Sequence, residues 1–125
     1  MKRPFLLLAL AVLLSVTGCQ QDSRLEISPA PIHEVTVTFA KSLPPQVIVY
    51  IKGGLKDGCT AFHDLTTSRR GSQINIKVTV QTEKEKICTQ VYGFFEKTVN
   101  LGSNFTSGQT YTVNVNDQTA AFVAP

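Results

Sequence analysis

Ten residues, Gln73 to Thr82, alternate without interruption. Ile74, Ile76, Val78 and Val80 fall on one side, and Asn75, Lys77, Thr79 and Gln81 on the other. A period of two marks a half-buried strand, because successive side chains of an extended chain point to opposite faces. Such a strand needs neighbours to pair with and a second apolar layer to cover it. It therefore constrains everything that folds around it.

The same period recurs. Val35, Val37 and Phe39 alternate with Thr36 and Thr38, and Tyr111, Val113 and Val115 alternate with Thr112 and Asn114. Gln46–Lys52, QVIVYIK, is a continuous β-branched and aromatic run, which predicts a central strand with both faces covered. Cys59–Leu65 predicts a short strand. Ile87–Leu101 predicts one long strand or two, bent near Gly93, and Thr119–Val123 a last strand carrying Phe122. Turn chemistry separates them at Leu43-Pro44-Pro45, Gly53-Gly54, Lys56-Asp57-Gly58, a polar hairpin loop over 66–72, the charged turn Glu83–Lys86, the loop 102–108, and Asn116-Asp117, a pair that tolerates positive φ. No stretch beyond residue 19 sustains an apolar period of 3.6. About seven short strands, spaced roughly ten residues apart, predict an all-β, antiparallel β-sandwich.

The N-terminus is built differently. Lys2 and Arg3 precede an apolar run from Phe5 to Leu14, and small residues follow from Ser15 to Gly18. Ten apolar residues are too few to span a bilayer, which takes about 20, so the segment reads as a signal peptide. Leu13-Leu14-Ser15-Val16-Thr17-Gly18-Cys19 resembles the lipobox of bacterial lipoproteins, with Val16 where Leu is common. A plain secretory signal cut near the same point is the competing reading. The resemblance implies cleavage before Cys19 and acylation of Cys19, giving a membrane anchor. Two or three acyl chains suffice for stable attachment where one does not. Gln20 and Gln21 follow the cysteine instead of Asp, which favours the outer membrane in a cell that has one. The expected organisation is a signal peptide over 1–18, a lipidated cysteine and flexible tether over 19–32, and one domain over 33–125. A chain of 125 residues holds one domain, not two.

The net charge of +3 partly belongs to the leader. Without Lys2 and Arg3 the chain carries ten basic and nine acidic residues. A charge so near neutrality lends no support to a nucleic-acid partner, which wants a basic stripe on the folded domain. With Cys19 taken by lipid, Cys59 and Cys88 remain as an even pair in an oxidising compartment, which predicts a disulfide.

The segment from Leu101 through Gly108-Gln109-Thr110-Tyr111-Thr112-Val113-Asn114-Val115 resembles the tyrosine corner of immunoglobulin-like and fibronectin-III-like domains. The resemblance implies that the Tyr111 hydroxyl bonds back to upstream backbone. The wider pattern, from Gly58-Cys59-Thr60 through Ile87-Cys88-Thr89-Gln90, Phe95 and Val99 to Asn116, is similar to small exported bacterial domains of uncharacterised function. The chain departs from antibody domains in having no tryptophan and no cysteine two residues past Tyr111. The Cys59–Cys88 bridge is therefore expected to join a loop or short strand to a neighbouring strand, not to pin the centre of the sandwich.

Residues able to carry chemistry are few. Cys59, His63 and Cys88 lack a fourth zinc ligand, and oxidation removes both thiolates. His63-Asp64 with Ser68 or Ser72 lacks a nucleophile elbow. Gly53-Gly54 lacks the spacing of a phosphate loop. His33 beside Glu34 offers a pH-sensitive pair, and Arg69-Arg70 a contact for phosphate or lipid headgroups. Tyr92, Phe94 and Phe95 place aromatic rings on both faces of one strand: one face is core, and the other is a partner-binding patch if exposed or the cover of a sheet edge if not. The expectation is a membrane-anchored, non-enzymatic module of the cell envelope without metal or cofactor. Its expected partner is an envelope protein or glycan. The alternative is an inhibitor of an envelope-directed protease or lysozyme acting through loops 53–58, 66–72 or 102–108.

Overall fold

A computed structural model describes Gly18 and residues 24–125. The expected signal peptide, apart from Gly18, and the expected acylation at Cys19 lie outside the described residues. Eight strands form: β1 Leu25–Pro29, β2 Ile32–Ala40, β3 Gln46–Leu55, β4 Thr60–Arg70, β5 Gln73–Glu83, β6 Gly93–Gly102, β7 Thr110–Val115 and β8 Gln118–Val123. Among the described residues there is no helix. One sheet is β2-β3-β6. In the other, β5 is flanked by β4 on one side and by β1 and β7 on the other, with β8 beyond β7. The two sheets face each other as a sandwich. Val47, Val49 and Ile51 of β3 are buried with Ile74, Ile76, Val78 and Val80 of β5 and with Tyr111, Val113 and Val115 of β7.

Strand β5 has two partners on one edge. Its C-terminal half pairs with β1, Leu25 opposite Glu83 through Pro29 opposite Thr79. Its N-terminal half pairs with β7, Gln73 opposite Thr112 through Ile76 opposite Val115. The β5–β7 pairing is parallel, so the sandwich is not wholly antiparallel as expected. The cause is the route. The chain leaves β5, crosses to the other sheet for β6 and crosses back, reversing direction twice.

The eighth strand, β1, occupies part of the segment expected to be tether. The domain begins at Leu25 instead of residue 33, and a tether extends no further than Arg24. Leu25 and Ile27 alternate with Glu26 and Ser28 over only four residues before Pro29, too short a run to mark β1, and both side chains are exposed. Backbone pairing to β5 holds this strand. Beyond Pro29 the chain switches sheets. The Ala30 N–H donates to the Val78 carbonyl at 2.9 Å, and the Gly54 N–H to the Pro31 carbonyl at 2.9 Å.

Four further expectations change. Strand β3 is central, but only its Val47, Val49 and Ile51 face is fully buried; Ile48, Tyr50 and Lys52 on the other face are half-buried. Gly53 and Gly54 continue β3 and form no turn. Residues 66–70 continue β4, so the hairpin to β5 turns on Gly71, at φ 60°, and Ser72. This puts Arg69 and Arg70 on a strand and not at a loop tip. Residues 87–92 lie outside any strand, and β6 starts at Gly93.

Candidate functional site

The domain has two ends. At one, called the top, the chain enters at Arg24, β3 crosses to β4 through residues 56–59, and β5 crosses to β6 through residues 84–92. The Cys59–Cys88 disulfide joins these two crossovers, with Cα atoms 5.4 Å apart. It links two loops, Cys59 standing one residue before β4, away from the sandwich centre, and neither cysteine lies on the neighbouring strand that was expected. The Gly58 N–H adds a bond to the Thr89 carbonyl at 2.8 Å. Asp57 lies beside both sulfurs. Its Oδ1 accepts from the Cys59 N–H at 2.9 Å and the Thr60 hydroxyl at 2.8 Å, closing the turn before β4. With the sulfurs bonded to each other, this cluster holds no thiolate for a metal.

Just below the top, on the outer face of β2-β3-β6, three rings meet. His33, Tyr92 and Phe94 contact one another edge-to-face with centroids 5.4–5.7 Å apart. His33 Nε2 and Tyr92 Oη share a hydrogen bond of 2.5 Å. Lys52 Nζ lies 4.5 Å from the Phe94 ring centre. Tyr92 is 45% exposed and Phe94 54%. Local backbone explains why they meet. The register slips between Ile32 and Glu34, so His33 is an unopposed bulge residue, and a bulge re-aims its side chain. Gly54 supplies the seat: a Cβ there would overlap the Tyr92 hydroxyl and lie 2.8 Å from His33 Nε2. Phe94 stands opposite Gly54 in the ladder. Phe95 takes the other face, packs on Gly53 and meets Phe62 at 5.4 Å.

Further along the same face, Tyr50 donates to Glu96 Oε1 at 2.6 Å. This bond, then desolvation and the charges of Glu96 and Glu34, pushes the Tyr50 phenol up to about 12. Above the patch, Ile87 is fully exposed and Val91 66% exposed.

The bottom end holds the other residues singled out in the sequence. The Thr106 N–H donates to the Tyr111 hydroxyl at 2.9 Å. Tyr111 stacks on Phe122 and meets Phe105 edge-on. The Thr106 bonds and the nearby Arg69 favour the phenolate and, against burial, draw Tyr111 below its ordinary range. Arg69 lies 4.4 Å over Phe105 and donates to the Asn104 carbonyl at 2.5 Å. These contacts hold Arg69 against its own fold. Arg70 is exposed beside it.

The remaining candidates do not assemble. His63, also a bulge residue, bonds Thr79 Oγ1 at 3.0 Å. Ser68 lies five residues along the same strand, roughly 16 Å away at the rise of a β-strand, and Ser72 lies beyond it. His33 pairs with Tyr92 and not with Glu34. Of the loops considered for inhibition, 53–55 and 66–70 are strand.

Sequence reasoning missed Lys52, Gly54 and the role of Asn116. A notch of about 580 Å³ lies beside Pro29, Ala30, Pro31, Lys77 and Asp117, with Asn116 in its wall. Asn116 closes that notch from inside. Its Oδ1 accepts from the Val78 N–H at 2.9 Å, and its Nδ2 donates to the carbonyls of Ala30 at 2.8 Å and Val78 at 2.9 Å.

Residues 49–124 match the ORF11 beta-sandwich domain. The chain is 40% identical over 86 residues to the "Uncharacterized 10.2 kDa protein in HgiCIIM 5′region" of Herpetosiphon aurantiacus, covering 69% of this chain and 90% of that protein. It is 43% identical over 76 residues to the "Uncharacterized 10.2 kDa protein in HgiBIM 5′region" of the same organism, covering 61% and 92%. No solved structure matches. The matched span runs from the middle of β3 through β8 and takes in both bridged cysteines and the Tyr92–Phe94 segment, and the chain belongs to the ORF11 β-sandwich domain family.

Proposed function

We propose that this protein is a non-enzymatic binding module of the cell envelope, held to a membrane through acylated Cys19, and that it receives its partner on the His33, Lys52, Tyr92 and Phe94 patch. The observation that carries the reading is the patch itself. Its rings are exposed, they lie outside the buried core, and they are locked by a bulge, a glycine seat and a hydrogen bond. Rigid aromatic side chains give large contact area at low entropic cost, and a cation beside them adds direction. A partner with apolar or ring-shaped groups, an envelope protein or a glycan, suits such a surface.

The test is crosslinking of the intact protein in native envelopes, repeated with Phe94→Ser and with Gly54→Leu. Phe94→Ser removes the exposed ring, and Gly54→Leu unseats Tyr92. The reading expects one reproducible partner that both variants lose. A partner retained by both variants, or none at all, removes the patch from the function. Cys19→Ala checks the anchor separately: the protein is expected to leave the membrane fraction.

A further inference from the structure

We infer that the top of the domain lies on the bilayer that holds its anchor, with Ile87 and Val91 in the headgroup boundary; this rests on the lipid-anchored reading of Cys19. The chain's own path makes the case. The Lys84 N–H donates to the Arg24 carbonyl at 2.6 Å, so the first described strand starts beside the loop 84–92. Five residue steps separate Cys19 from Arg24, which reach at most about 18 Å when fully extended. An acylated Cys19 therefore keeps this end, and not the opposite one, at the membrane.

What the end presents fits a membrane surface. Ile87 is fully exposed and Val91 66% exposed, and neither belongs to the buried core. The loop carrying them is stapled by Cys59–Cys88 and by the Gly58–Thr89 backbone bond. Its shape exists before contact, so little ordering is lost on docking. The charges around it are balanced. Arg24 faces Glu85 at 3.6 Å, Lys84 faces Glu26 at 3.1 Å and Lys86 faces Glu83 at 2.9 Å. No net negative charge repels an anionic surface. The acyl chains supply attachment, and the apolar loop supplies orientation. That orientation turns the Tyr92–Phe94 patch sideways, along the membrane, toward partners lying in the same plane.

The chain has no tryptophan, so a single introduced one reports its own surroundings. The full-length, acylated protein carrying Ile87→Trp is reconstituted into vesicles of phosphatidylethanolamine and phosphatidylglycerol, with and without brominated lipids. Val91→Trp provides a second position. Leu43→Trp provides the control, because Leu43 is 99% exposed at the opposite end. The expected result is blue-shifted emission at 87 and 91, quenched by bromines near the headgroups more than by those near the chain ends. Emission at 43 is expected to stay water-like and unquenched. Water-like, unquenched emission at 87 and 91 from protein that is acylated by mass and floats with the vesicles overturns the orientation and leaves the anchor standing. A blue shift without quenching shows that a second copy covers the loop and overturns it too. Absence of acylation removes the anchor, and this inference with it.

Discussion

Asn116 offers the sharpest test of how the sandwich is tied together. It sits at the β7–β8 turn, half-buried, with φ 51°, where the turn meets the β1–β2 crossover and the middle of β5. Its side chain makes three hydrogen bonds to backbone, joining elements 86 and 38 residues away. Truncation in Asn116→Gly keeps the backbone conformation and deletes all three. The Val78 carbonyl still has the Ala30 N–H. The Val78 N–H and the Ala30 carbonyl lose their side-chain partner. Each such orphan costs about 1–3 kcal/mol, toward the lower end where water enters the open notch. The expected loss is about 2–4 kcal/mol. For a domain near 100 residues that lowers Tm by about 10–20 °C. Asn116→Ala should lose about 1 kcal/mol more, because alanine resists positive φ. Asn116→Asp keeps the Val78 acceptor but sets a carboxylate against two carbonyls, so at neutral pH it should fall at least as far as Asn116→Gly. Urea unfolding of the oxidised protein, followed by far-ultraviolet circular dichroism, measures each value. An Asn116→Gly protein within about 0.5 kcal/mol of the parent refutes the reasoning, and the clamp is then incidental to stability.

The other predictions concern the disulfide and two tyrosines. Replacing Cys59 and Cys88 together by serine opens a loop of sequence separation 29 and should cost about 3–4 kcal/mol in the chain-entropy picture; a loss under about 1 kcal/mol in a denaturant melt contradicts it. Tyr111→Phe leaves the Thr106 N–H without its acceptor and should cost about 1–2 kcal/mol with the fold retained; unchanged stability in the same melt argues against the corner as a support. The Tyr50 hydroxyl donates a hydrogen bond to Glu96, so the folded state favours its protonated form. The stability it adds is fully present below the ordinary phenol value of about 10 and is lost as pH rises toward about 12. Phenolate absorbance of the folded protein should show one late step among the three tyrosines, absent from Tyr50→Phe; an unchanged high-pH profile in that variant is the contrary result.

The parts of the fold legible in the sequence are those where burial is one-sided. Strands β5 and β7 announce themselves because Ile74, Ile76, Val78, Val80, Tyr111, Val113 and Val115 are all buried while their neighbours are not. Strand β1 is harder to read, since its alternation spans only Leu25 to Ser28 before Pro29 and backbone pairing holds it while its apolar side chains stay exposed. Gly53 and Gly54 read as a turn because glycine lacks a Cβ in both settings. Here the freed space is filled from the side by Phe95, Tyr92 and His33, which no local pattern encodes. Thr66-Thr67-Ser68 reads as loop by polarity, yet β4 is an exposed edge strand and polar β-compatible residues suit it. The aromatic pair Tyr92 and Phe94 is visible in the sequence. The bulge that brings His33 to them, 59 residues away, is not.

The disulfide links these observations. The centre of the sandwich, where Val49, Ile51, Val78 and Val113 pack without exposure, carries no bridge. Cys59–Cys88 instead ties two surface crossovers. Residues 87–92 lie outside the ladders and cross between the sheets, so pairing does not fix their direction. Without the bridge, the Gly58–Thr89 bond alone would hold the middle of that loop, and one exposed hydrogen bond is worth only about 1 kcal/mol. The bridge therefore orients as well as stabilises. It sets where Ile87 and Val91 emerge and fixes the approach of Tyr92 to His33 over Gly54. On this argument reduction should disturb the Tyr92–His33 contact at temperatures where the β3–β5 core is still folded. The disulfide's main consequence then lies at the surface proposed to meet other molecules.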